Sequence, residues 1–300
     1  MPGSHPRYQL LRRRLLKFTQ TLEGVEKARV QAVHRARVAS RRLREVLPVL
    51  QIDGNLAGDL GRRLRKVSRR LGTVRELDVM LLLVDELQES GRYDERACAR
   101  LASVMTLERS AARDRLLSPR PINELRRLAA KLAKIAETLA RGEKARGPSR
   151  GWWPAVEVRV AHRAAALKAS TEEAGAVYLP DRLHQVRIAT KKFRYSMELA
   201  SELSTEKVWS RELEMLKRMQ RLLGRLRDRQ VLIERVRRVQ ASLTPPHLVL
   251  WHSLDSLVAA PEKECRRLHA RYVRDAAAVV ALCVRVVDRT HGAARTRRAG

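Results

Sequence analysis

The sequence predicts an all-α fold made of two related helical halves, and three observations carry that expectation. Apolar residues recur with a 3.6-residue period along almost the whole chain. Aromatic residues make up only 4%, and Gly and Pro are rare inside long Leu, Ala, Val and Arg stretches, a composition that favours helix over sheet. Two segments of the first half recur, in the same order, in the second. No period-two alternation extends beyond a few residues, so no strand is expected.

In order, the periodicity places helices at 7–22, 24–50, 56–89, 93–117, 121–142, 153–177, 181–203, 206–241, 246–259 and 262–289. Their breaks fall on turn residues: Asp53-Gly54-Asn55, Ser90-Gly91, Ser118-Pro119, Pro180-Asp181 and Thr244-Pro245-Pro246. The polar, Gly- and Pro-rich run 141–151 divides the chain into a first half (1–142), a linker (143–151) and a second half (152–290). Residues 291–300 read as a frayed basic tail. Trp152-Trp153, at a helix start, read as core packing in preference to a binding cage.

The repeat is specific. VHRARVASRRLR (33–44) lies over LHQVRIATKKFR (183–194), with identities at 34/184, 37/187, 39/189 and 44/194. LRKVSRRLGTVRELDV (64–79) lies over LKRMQRLLGRLRDRQV (216–231), with identities at 64/216, 69/221, 71/223, 72/224, 75/227 and 79/231. The offsets, 150 and 152, are nearly equal, which points to internal duplication.

Each copy carries a row of cations. His34, Arg37, Arg41 and Arg44 stand at i, i+3, i+7 and i+10, one face of a helix, as do His184, Arg187, Lys191 and Arg194. Beside each row runs an apolar one: Val33, Ala36, Leu43 and Leu47, then Leu183, Val186, Phe193 and Met197. Ten residues of helix extend about 15 Å, so this is a line of charge. The second motif repeats the pattern, with Arg65 and Arg69, or Lys217 and Arg221, beside packing residues Leu64, Val67, Leu71 and Val74 or Leu216, Met219, Leu223 and Leu226. Like charges one turn apart cost a few tenths of a kcal/mol per pair, and their recurrence in both halves argues for a ligand that offsets the repulsion.

The charge balance agrees. Sixty-three Lys and Arg against thirty-three Asp and Glu give +30 and draw polyanions. A plainer reading, a solvated basic surface, accounts less well for cations at matched positions of both copies. Two roles are open to His34 and His184: touching the ligand, or orienting neighbouring Arg side chains. The three cysteines show no CxxC spacing and read as free thiols of a reducing cytoplasm. The N-terminus lacks a continuous apolar run, and no stretch approaches a membrane span.

HxxRVAxRRLR and HxxRIATKKFRY, each followed by LGxxR[DE], resemble the conserved histidine α-helical domain (CHAD) family over about 7–289. The resemblance implies two four-helix bundles related by a pseudo-two-fold, with a basic groove between them that binds inorganic polyphosphate; tethering to polyphosphate granules is compatible with that reading. Carried over, the groove residues are His34, Arg37, Arg41, Arg42, Arg44, His184, Arg187, Lys191, Arg194 and Tyr195, with Lys66, Arg69, Lys217 and Arg221 as additions. Glu76 stands where the family often has Asp, and Gln230 replaces the acid that Asp78 supplies. These acidic positions are expected to anchor Arg75 and Arg227.

Arg suits such a chain because its fork bonds phosphate oxygens bidentately. Competing functions are weaker. Sequence-tolerant nucleic-acid binding uses aromatic stacking platforms; only Phe193 and Tyr195 interrupt the cationic rows, and Phe193 is on the packing side. Weak RNA or DNA affinity is expected, not a primary role. Catalysis on polyphosphate needs clustered carboxylates. The neighbouring triphosphatase family has an ExExK strand, and this chain offers Glu212-Leu213-Glu214-Met215-Leu216 inside a helix. No Walker loop, HExxH or GxSxG appears, so neither enzyme, cofactor nor metal is expected.

Overall fold

A computed structural model describes residues 7–146, 152–203, 209–244 and 247–299, with the side chains of 146 and 291–299 excepted. The described residues form α1 (Arg7–Thr19), α2 (Leu22–Glu26), α3 (Val30–Val46), a 3-10 turn (Leu47–Val49), α4 (Gly54–Glu89), α5 (Glu95–Leu117), α6 (Pro119–Arg146), α7 (Trp152–Ala174), α8 (Pro180–Leu203), α9 (Ser210–Ala241) and α10 (Leu248–Ala299). No strand occurs among them. The chain is all-α, as its periodicity predicts.

Local chemistry sets the ends. Asp53 caps α4 by accepting from Leu56 N at 2.8 Å, and Asp94 caps α5 by accepting from Arg96 N at 2.7 Å. Gly91 and Gly175 follow α4 and α7 at positive φ, a region open to glycine. Several expected boundaries differ. The helix expected over 24–50 is broken at Ala28, whose φ of 50° turns the chain between α2 and α3. The helices expected at 246–259 and 262–289 are one, α10, with Pro261 inside it. Leu254, Leu257, Val258, Pro261, Cys265, Leu268 and Tyr272 are buried at continuous helical spacing across that proline, so packing of a whole face overrides one unfavourable residue. α6 runs to Arg146, four residues into the segment read as linker, whose remainder lies outside the described residues along with Pro245 and Pro246. The helical backbone of α10 also extends through the segment read as a frayed tail, to Ala299.

Packing follows the apolar rows. α1 lies against α3 and α6, α3 against α4, and α4 against α5. α7 lies against α8 and α10, α8 against α9, and α9 against α10. The second half thus repeats the order of neighbours, with α7 in the place of α1 and α10 in that of α5 and α6.

The halves are not separate bundles. One apolar core runs from Leu10, Phe18 and Leu43 through Leu71 to Val186, Phe193 and Leu223, and Trp152 belongs to it, with Trp153 packed alongside. A second core joins Val84, Leu101 and Met105 to Leu232, Val236 and Leu257. Ion pairs cross as well: Arg14–Glu202 at 2.7 Å, Arg42–Glu198 at 3.2 Å and Arg159–Glu45 at 2.7 Å. The three cysteines are buried and free. No described helix is long and apolar enough to cross a membrane.

Candidate functional site

The apolar rows of α3 and α8 are committed to the core. Leu43 and Phe193 are wholly buried, which turns the adjoining cationic rows toward the line where α3 meets α8, flanked by α4 and α9.

Along this seam the cations of both copies come together. Arg37 is held down at a pKa of about 10, by loss of solvent first and then by Arg41 and Arg187. Lys191 is pushed to about 6, again by burial first, then by Arg187, Arg41 and Arg37. Arg187 is lowered by burial and by Arg41 and Arg227, partly offset by Asp228. His34 and His184 flank the cluster, both lowered by partial desolvation and then by cations: Arg75, Arg37 and Arg41 for His34, and Arg227, Arg187 and Lys191 for His184. Asp228 is raised by burial and by Glu76, against the pull of Arg187 and Lys191.

Hydrogen bonding leaves donors over. The Nε atoms of Arg37 and Arg187, at matching sequence positions of the two halves, are buried without a hydrogen-bond partner, as is Nδ1 of His184. Buried donors normally find a partner, so the two Nε–H groups are left with unused hydrogen-bonding capacity. Gly72 makes room for one of them: a Cβ there would stand 3.3 Å from Arg37 Nε. Its repeat partner Gly224 faces open space.

The seam continues past Arg41. Arg44 and Lys192 are both lowered, by burial first, with Arg65 and Arg163 among the cations acting on each. Glu45, 5% exposed, is the carboxylate among them. It accepts from Arg159 Nε at 3.0 Å and Arg163 at 3.3 Å.

The remaining expected residues are distributed differently. Arg42 and Arg194 both bond Glu198, and Arg194 also donates to Gln220 at 2.7 Å. Tyr195 is buried beneath the Arg194 guanidinium, 4.5 Å from its ring centroid. Lys217 and Arg221 are exposed and pair with Glu214 at 3.4 and 3.2 Å. Arg69 is exposed one turn from Arg65. Lys66 shares the face of α4 that bears Asp59 and Arg70, which pair toward α6 through Lys131 and Glu124. Arg65 therefore takes the seam position.

The acids depart from expectation too. Asp78 anchors Arg109 at 2.6 Å and not Arg75, while Gln230 donates to the Tyr178 hydroxyl at 3.0 Å. Arg227 pairs with Glu234 at 3.0 Å, and Glu76 lies 3.7 Å from Arg235. Arg75 and Arg227 stand instead beside the two histidines. The signal for them was present in the sequence, since both close an LGxxR at the same offset.

The arrangement is a line of cations and hydrogen-bond donors with few acids, suited to a chain-like anion. A search of curated proteins finds no match. Among solved structures, the CHAD domain from the plant Ricinus communis matches with a TM-score of 0.60 and 22% identity, covering 91% of this chain and 88% of that one. PptA from Streptomyces chartreusis matches with a TM-score of 0.64 and 18% identity, covering 92% and 99%. These likenesses establish the fold. The model of the CHAD domain matches residues 9–237, most of the chain and all of α3, α4 and α8, and the protein therefore belongs to the CHAD domain family.

Proposed function

We propose that this protein binds inorganic polyphosphate along the α3–α8 seam, without turning it over, and that this binding carries it to polyphosphate granules. The observation that bears most weight is the convergence of Arg37, Arg41, Arg187 and Lys191 from both copies, with the Nε donors of Arg37 and Arg187 unpaired. A polyphosphate chain supplies closely spaced acceptors and needs no base recognition. The only aromatic ring of the rows outside the packing side, Tyr195, is buried under Arg194 and offers no stacking platform, which disfavours nucleic acid as the main ligand.

Competition tests the reading. Labelled long-chain polyphosphate should resist displacement by mixed RNA at equal phosphate concentration and an ionic strength of about 0.15 M. Displacement by RNA at parity would hand the site to nucleic acid. In parallel, incubation with Mg²⁺ or Mn²⁺ should release no phosphate above a protein-free control.

Protonation gives a second test. Lys191, lowered to about 6, is mostly neutral in the free protein near neutral pH. The unfolded chain keeps that proton up to about 10.5, so folding releases it, and stability rises with pH between the two values. Below about 6 the full penalty of burying the charge remains. A polyanion favours the ammonium, so binding should take up a proton near pH 7.5. Calorimetry in two buffers of different ionisation enthalpy should detect the uptake, and Lys191→Met should remove most of it.

A further inference from the structure

A separate recess opens on the other side of α3. It is a cleft of about 490 Å³ between α1, α2 and α3, a size typical of small-molecule sites. Arg14, Lys17, Arg29, His34, Arg35 and Arg42 line it. The lining carboxylate, Glu23, is paired with Lys27 at 2.5 Å. Ala32, Val38 and Ala39 supply an apolar wall.

Two features mark a built site. Arg14 is 5% exposed, and its Nε is buried with no hydrogen-bond partner although Nη2 holds Glu202 at 2.7 Å. Arg42 repeats this, with Nη2 on Glu198 and Nε unpaired. The acids thus fix the two guanidiniums while one buried donor of each is left without a hydrogen-bond partner. The backbone also departs from ordinary geometry here. Ala28 adopts φ 50°, and Gly24 comes so near α3 that a Cβ would lie 2.5 Å from the Ala32 Cβ. Unfavourable backbone of this kind clusters at ligand sites. The second half has no counterpart of α2, because α7 runs unbroken from Trp152 to Ala174. The recess is therefore not explained by the repeated cationic rows.

We propose that this cleft binds a small organic phosphate of the nucleoside diphosphate class. The cations hold the phosphates, Arg14 and Arg42 offer their unpaired Nε–H donors, and the Ala32–Val38–Ala39 wall covers the organic part. A recess bounded by three helices suits a compact anion, whereas the α3–α8 seam suits a chain. His34 borders both.

Titration of the full chain with fluorescent N-methylanthraniloyl-ADP at about 0.15 M ionic strength tests this. Lys17→Glu with Arg35→Glu, both exposed positions, should weaken binding about tenfold or more, the effect of one or two lost charge-assisted contacts. Val38→Trp should block it without changing charge. Arg187→Glu with Lys191→Glu, in the seam, should leave it within about threefold. Pyrophosphate should bind about tenfold more weakly than ADP, because it lacks a body to cover the wall. No binding, loss that follows the seam variant instead of the cleft variants, or pyrophosphate equal to ADP would each overturn the proposal. Long polyphosphate should keep its affinity for Val38→Trp, which separates failure here from failure at the seam.

Discussion

Arg37→Glu with Arg41→Glu is expected to cost about 100-fold or more in polyphosphate affinity, taking each charge-assisted contact at about 1.5–3 kcal/mol. Arg187→Glu with Lys191→Glu should cost as much. The reason is geometric: cations of the two halves are mutual neighbours, with Arg41 acting on both Arg187 and Lys191. One ligand chain then meets both rows together, and removing either row strips the shared site. Two independent patches would behave otherwise, each double variant keeping half the capacity at unchanged affinity. Titration with circular dichroism as a check on folding separates the outcomes, and half stoichiometry at wild-type affinity would sink the shared site.

The second large effect centres on Glu45. This carboxylate is 5% exposed, and Arg159 and Arg163, each 17% exposed, rest on it from α7. Arg44 and Lys192 add further positive charge around it. Glu45→Gln leaves these half-buried cations without their counter-charge, and loss of one partner from a buried pair typically costs about 3–5 kcal/mol. Urea unfolding should register that loss. Added polyphosphate should then restore more stability to Glu45→Gln than it adds to the wild type, since a phosphate supplies the missing negative charge. An equal increment in both proteins would place Glu45 off the ligand's path.

Legibility in the sequence followed the range of the interactions. The rows of α3 and α8 could be read because helical spacing alone sets which residues share a face, and Leu43 and Phe193 are buried as that spacing requires. Spacing alone did not separate Lys66 from Arg65, because one residue turns a side chain by about 100°; the face toward α6 is known only once Arg70 meets Glu124 and Asp59 meets Lys131. The partner of Asp78, Arg109, is 31 residues away on α5, beyond any local pattern. The break placed near Pro261 weighed one residue's preference against helix, whereas the buried face from Leu254 to Tyr272 decides the matter. Neither the cleft beneath α2 nor the left-handed turn at Ala28 had a signal, since alanine carries none of glycine's freedom.

The apolar core that passes from Leu43 and Leu71 into Phe193 and Leu223 has a mechanical consequence. Two modules joined by a hinge would relieve crowding of like charge by swinging apart. Here the described residues share one core instead: Arg37, Arg41 and Arg187 stand on a common footing, so their repulsion is stored as in a clamped spring. Separation would tear the footing itself. Short of unfolding, relief comes from loss of the Lys191 proton and, for the arginines, from outside, as counter-ions or as a bound anion, and the free protein is for that reason held ready to be discharged.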